Sequence, residues 1–314
     1  MPSPNTIGAS AGLPTKPLTM SQAARPGALP PPVEREFRLP AYPLAALEWG
    51  ASGGRRVIAL HGWLDNAGSF ELLSPRLAGC HVIALDAAGH GRSGKRSPDA
   101  GYNLWQDVGD VIEVADELGW DRFSLLGHSR GAAAATLFAG TFPDRVERLL
   151  LIEGGLPFIG EAAVAPENLA EALERSRELR KRSGRVFASR DEAIAERVGG
   201  FSPVSPEAAE VLARRSLARV AGGWQWQADQ RLKAGSELRL TRELLAAFVG
   251  RVTAPVICVL ANDSPFGEME LYREMLDLFA DIEVHRIDGR HHFHLEGAAE
   301  AIAERLVPFL EKAR

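Results

Sequence analysis

The strongest constraint in this chain is a five-residue turn, Gly127-His128-Ser129-Arg130-Gly131, set between an apolar run (FSLL) and an alanine-rich helical run (AAAATLFA). The pattern G-x-S-x-G alone occurs by chance, and the strand before it and the helix after it give it meaning. A strand-to-helix reversal this tight forces its central residue into a strained backbone conformation. Glycines at 127 and 131 leave room for the turn, and the small residues at 132–135 let the helix lie close to the sheet. Ser129 is then expected to stand exposed at a helix N-terminus. There the backbone N–H groups and the helix dipole favour developing negative charge.

Around that turn the chain alternates apolar runs with helical stretches. Strands are expected near 36–39, 44–49, 56–60 (RVIAL), 81–86 (HVIALD), 123–126, 148–152, 256–260 and 282–287, eight in all. Helices are expected at 69–77, 103–118, 129–141 and 299–312. In the second of these, Leu104, Val108, Val111, Ile112, Ala115 and Leu118 share one face. Strands that are apolar on both faces and alternate with helices indicate a mostly parallel sheet covered on both sides.

Residues 157–246 differ in character, being charged, Ala-rich and helical. They read as a helical cap inserted after the sixth strand, over the carboxyl ends of the sheet. Their basic cluster, RSRELRKRSGR, reads as a solvated helix face rather than an anion site. The core is then expected at 34–156 and 247–314. Residues 1–33, rich in Pro, Ala and Ser, contain no apolar signal-peptide core and read as a disordered extension.

Bulk properties narrow the partners. The net charge of -5 gives no reason to expect nucleic acid, and no run approaches the roughly 18 apolar residues of a membrane span. The two cysteines, Cys80 and Cys258, sit beside or within apolar strand-like runs. Free buried thiols and a cytoplasmic location are the expectation. Oligomeric state is not legible.

Four stretches carry a resemblance: HGWLDNAGSF after the third strand, LDAAGHGRSG after the fourth, GHSRG at the turn, and GGWQWQADQRL in the insertion. Together they resemble the α/β-hydrolase superfamily over residues 34–314, and within it the serine hydrolase-like proteins. The resemblance implies an α/β-hydrolase fold with no cofactor. It implies hydrolysis without naming a substrate; the serine at the turn adds the expectation of a serine hydrolase acting on a small acyl substrate (a carboxylic ester, thioester or lactone) through an acyl-enzyme intermediate. Members of this fold that break C–halogen or epoxide bonds rely on Asp at the turn, so a serine points to acyl transfer. A C–C bond hydrolase on the same residues, or a non-catalytic ligand-binding homologue, are the alternatives.

The remaining catalytic parts are expected in the chain order Ser, acid, His. The base is assigned to His291, first of three histidines after Gly289 and matching the family spacing G-x-H-x-x-x-x-E through Glu296; His292 is second choice, and His294 reads as packing or surface. The histidines show no carboxylates at ligand spacing, so no metal is expected. For the acid two positions compete. Asp263 lies in the favoured loop after the seventh strand but is shifted by one, because Ser264 stands where the carboxylate usually is. Glu153 follows the sixth strand directly. Asp263 is slightly preferred. The oxyanion donors are expected to be the backbone N–H groups of Arg130 and Trp63. Trp63, Trp224 and Trp226 are expected to line an apolar substrate pocket.

Overall fold

The computed structural model describes residues 30–313 apart from 201, 265, 267 and 268. Most of the N-terminal extension expected at 1–33 therefore lies outside the described residues.

Eight strands form one sheet: β1 (Val33–Arg38), β2 (Pro43–Trp49), β3 (Arg55–Leu60), β4 (Cys80–Leu85), β5 (Phe123–His128), β6 (Val146–Ile152), β9 (Val256–Ala261) and β10 (Ile282–Ile287). Their spatial order is β1-β2-β4-β3-β5-β6-β9-β10. β2 runs antiparallel to β1 and β4, and every other pairing is parallel. Successive side chains of a strand point to opposite faces. In β6, Leu149 and Leu151 therefore enter one core while Leu150 and Ile152 enter the other. The first core is closed by α1 (Leu104–Glu117), α2 (Arg130–Thr141), α6 (Arg242–Val249) and α7 (Glu270–Leu276). The second is closed chiefly by α8 (Ala299–Glu311), through Ile302, Leu306 and Phe309. Burial on both faces explains the nearly continuous apolar runs of the central strands.

Two expectations need correction. The helix expected at 69–77 is instead a pair of short 3₁₀ turns, Ala67–Phe70 and Ser74–Arg76. Pro75 lacks the N–H that a continuing helix would use. The segment after β6 contains helices α3 (Ala165–Leu179), α4 (Arg190–Val198) and α5 (Pro206–Ser216), but also a hairpin of β7 (Leu217–Val220) and β8 (Gly223–Trp226). The alternation Trp224-Gln225-Trp226-Gln227 has a period of two, which is a strand pattern. Gly222, at φ 87°, turns the chain between the two strands.

This insertion is fastened to loops at the carboxyl ends of β3 and β4. Asn66 Nδ2 donates to Leu212 O at 2.9 Å, and Trp63 Nε1 to Leu232 O at 3.0 Å. Arg215 of α5 is almost fully buried and donates to Asp86 at 2.7 Å and to Glu34 at 2.7 Å. Removing one partner of such a buried pair typically costs about 3–5 kcal/mol, because the other charge is left uncompensated. No helix among the described residues is long and apolar enough to cross a membrane.

Candidate active site

The turn after β5 has the strain its sequence implies. Ser129 sits at φ 52°, ψ −116°, immediately before α2. A Cβ on Gly131 would stand 2.0 Å from Leu60 O, and one on Gly127 would stand 2.4 Å from the Ala132 Cα, so only glycine fits at either position. Among the described residues, the non-glycine residues with positive φ are Leu64, Ser129 and Glu153, in the loops after β3, β5 and β6. Each such position costs on the order of 1–3 kcal/mol, and strain of this kind concentrates at functional sites. Backbone bonds hold it in place: Ser129 N–H donates to Ile152 O at 2.9 Å, and Glu153 N–H to Val259 O at 3.0 Å.

Three of the residues singled out from the sequence meet. His291 Nε2 lies 3.0 Å from Ser129 Oγ, and His291 Nδ1 lies 3.2 Å from Glu153 Oε2. The second Glu153 oxygen accepts the Ala261 N–H at 2.6 Å, and its side chain is fully buried. His291 is about a quarter exposed and Ser129 is half-buried, so the hydroxyl is reachable from outside.

The preference for Asp263 is corrected. β9 ends at Ala261 and the chain turns at once, with Ser264 N–H donating to Ala261 O at 3.1 Å. That turn leaves Asp263 exposed at the surface and Ser264 buried. Glu153 leaves β6 on the neighbouring strand, and its longer side chain reaches the imidazole.

His292 is buried, and its Nε2 faces Asp65 Oδ2 at 3.2 Å rather than the serine. His294 is a packing residue against His128 and Phe70. Glu296 Oε1 accepts the Ser205 N–H at 2.7 Å, which ties the histidine loop to the insertion. The Arg130 side chain turns to α1 and pairs with Asp107 at 2.5 Å, so only its backbone remains beside Ser129.

The expectation of a pocket-lining indole is corrected for Trp226, whose ring is tied into the insertion. Trp226 Nε1 donates to Ala193 O at 3.1 Å, while Trp224 pairs with Phe187 and lies under Arg219. The Trp226 indole thus ties the hairpin to α4, and Trp224 joins the segment at Phe187 through its backbone.

Sequence reasoning missed what lies behind the triad. His128 Nε2 donates to the His291 carbonyl at 2.9 Å, so the residue before the serine is tied to the loop that carries His291. Asp65 accepts from Arg197 of α4 at 2.8 Å and from His292. Burial works to raise the Asp65 carboxyl, yet His292 and Arg197 beside it hold it well below the usual carboxylate range. The polar run His61-Gly62-Trp63-Leu64-Asp65-Asn66 was the available signal, because charge so close to a buried strand end must be paired.

Burial also keeps several imidazoles neutral. It pushes His128 and His90 well below the usual histidine range, lowers His61, and takes His294 down to about 3. The unfolded chain binds protons near pH 6.5 that the folded chain refuses, so these groups stabilise the fold fully above that pH. The contribution is lost as pH falls from about 6.5 toward the depressed folded values, by up to about 2 kcal/mol per imidazole at pH 5. Urea unfolding should therefore show a lower midpoint at pH 5 than at pH 7.5, with an unchanged slope. Equal midpoints would mean that these rings are hydrated.

Comparisons with known proteins identify the family of the fold. A family model described as the alpha/beta hydrolase fold matches residues 55–298. The human serine hydrolase-like protein 2 is 34% identical over 264 residues, covering 81% of this chain and 82% of that one. A serine hydrolase-like protein of Danio rerio is 30% identical over 296 residues, covering 88% of each. A hypothetical protein of Pseudomonas aeruginosa with a solved structure is 45% identical, with a TM-score of 0.86 over 89% of this chain and 99% of that one. A matching family model over most of the chain, an eight-stranded sheet in this order and relatives of this similarity place the protein in the α/β-hydrolase family, beside the serine hydrolase-like proteins.

Proposed function

We propose that the chain is a serine hydrolase that cleaves a carboxylic ester, thioester or lactone through an acyl-enzyme. One observation carries this reading: Ser129 Oγ, His291 and Glu153 are joined in series at 3.0 and 3.2 Å. His291 Nε2 takes the Ser129 proton as Oγ attacks the carbonyl carbon, and Glu153 holds the tautomer and steadies the imidazolium. The backbone N–H groups of Arg130 and Trp63 are assigned to the developing oxyanion, and the same imidazole protonates the leaving group. Water activated by His291 then attacks the acyl carbon and frees Ser129. The insertion acts as the cap over this centre, and the buried free thiols Cys80 and Cys258 suit a reducing cytoplasm. A fluorophosphonate probe tests the assignment. It should label the purified chain at Ser129 stoichiometrically, and an unlabelled chain would leave only a ligand-binding role.

The substrate's apolar part is assigned to a hollow beside His291. The Phe266 ring lies 6.0 Å from the His291 ring and 6.3 Å from Phe158, which is 68% exposed. Leu156, Ile159, Leu245, Met269 and Tyr272 complete a small apolar hollow there. Burying a methylene is worth about 0.8 kcal/mol, roughly fourfold in kcat/KM. A p-nitrophenyl ester series should therefore rise by roughly that factor per carbon from acetate to hexanoate. Phe158→Ser should flatten it. A flat series in the unaltered chain would place the substrate elsewhere.

A further inference from the structure

Behind the triad lies an unusual concentration of imidazoles. The His128 ring is 4.8 Å from that of His291, 5.2 Å from His292 and 4.0 Å from His294. One ring nitrogen from each of His128, His291 and His292 lies within 4.8 Å of the other two. Buried polar atoms are satisfied as a rule. Here Nδ1 of His128 and Nδ1 of His292 are buried without a hydrogen-bond partner.

The bonds these two rings do make fix which nitrogen is left over. His128 donates Nε2–H to the His291 carbonyl, and His292 donates Nε2–H to the Asp65 carboxylate. A donated bond from one ring nitrogen to a carbonyl or carboxylate is what orients a metal-binding histidine and leaves a lone pair on the other nitrogen. In each ring Nδ1 is therefore the nitrogen left for a ligand. The third histidine differs, because both nitrogens of His291 are engaged, with Ser129 and with Glu153.

We propose that His128, His291 and His292 form a site for an imidazole-preferring divalent transition-metal ion, with Zn²⁺ as the type case, and that occupancy switches the triad off. The inference rests on the triad reading only for its inhibitory consequence. An ion held by all three rings must take a nitrogen of His291 from either Ser129 or Glu153, so coordination and catalysis exclude each other. No bond to substrate is involved; the ion displaces one hydrogen bond, and any proton on that nitrogen passes to solvent. Entry is through the side of His291 that is exposed. Nitrogens around a tetrahedral zinc at 2.0–2.1 Å stand about 3.3 Å apart, so the rings must close by up to about 1.5 Å, within reach of side-chain rotation. Hard cations that favour oxygen ligands, such as Mg²⁺, gain nothing here.

The full chain is incubated with ZnCl₂ or MgCl₂ and the rate of fluorophosphonate labelling is followed, while zinc bound per chain is measured by equilibrium dialysis. Micromolar Zn²⁺ is expected to slow labelling at least tenfold, with reversal by EDTA and no effect of Mg²⁺. His292→Gln, compared with its own metal-free rate, is expected to need at least tenfold more Zn²⁺ and to lose the dialysis stoichiometry. Labelling that ignores Zn²⁺, or inhibition that His292→Gln leaves unchanged, overturns the site while the triad stands. If the metal-free chain does not label at all, the triad reading fails. Dialysis then decides the metal site alone: one zinc per chain, weakened by His292→Gln, supports it, and no bound zinc overturns it.

Discussion

Replacing Ser129 with alanine should lower ester hydrolysis by about 10⁴-fold or more, with the thermal midpoint almost unmoved. The hydroxyl's recorded bond is to His291 Nε2, so removing it deletes the attacking atom and no bond that holds the turn. The turn itself is held by backbone: Ser129 N–H to Ile152 O, and Ser129 O accepting from Ala132 and Ala133. Alanine carries the same Cβ at φ 52° and pays the same strain. Binding of an unreacted ester should change little, so the loss should appear in kcat rather than KM. More than one hundredth of the original activity, in protein free of contaminating esterase, would remove Ser129 from its role. A large fall in midpoint would instead show that the hydroxyl supports the elbow.

The second large effect separates the two acids. Glu153→Gln should lower kcat by about 10⁴-fold, as replacement of a triad aspartate by its amide does elsewhere, whereas Asp263→Asn should stay within about twofold. Glu153 accepts from both Ala261 N–H and His291 Nδ1–H. An amide has only one oxygen for these two donors. If it stays with Ala261, the amide nitrogen faces His291 and favours the tautomer that cannot take the serine proton. Nor can a neutral amide stabilise the imidazolium. Asp263 is exposed, and its exchange for an isosteric amide disturbs no buried charge. The opposite ranking in kcat would place the acid in the loop after β9, and two near-normal variants would leave His291 oriented by something other than a carboxylate.

The elbow was legible because tight backbone geometry restricts residue type. Gly127 and Gly131 are dictated by clearances of 2.4 and 2.0 Å that leave no room for a Cβ in this turn. His291 was legible because it is the first histidine after Gly289 and keeps the family spacing to Glu296, in a loop between a strand end and a closing helix. The tryptophans of the insertion misled because W-Q-W-Q shows that one face is apolar but not what that face meets. The Trp226 indole bonds Ala193 of α4, and Trp224 meets Phe187 through backbone bonds.

The sequence by itself determined the parallel sheet and the tight turn that carries Ser129, since each follows from local periodicity or from sterics within a few residues. Only the tertiary structure decided between Asp263 and Glu153. That choice depends on where β9 stops relative to β6, an inter-strand relation that no single segment encodes: Ile152 pairs with Val259, and Glu153 N–H bonds the Val259 carbonyl before β9 ends. The histidine cluster was decided in the same way. His128 and His292 are 164 positions apart in the chain, and Asp65 adds a third segment. What brings them together is the convergence of the loops after β3, β5 and β10, where buried polar groups must find partners across segments or remain without them.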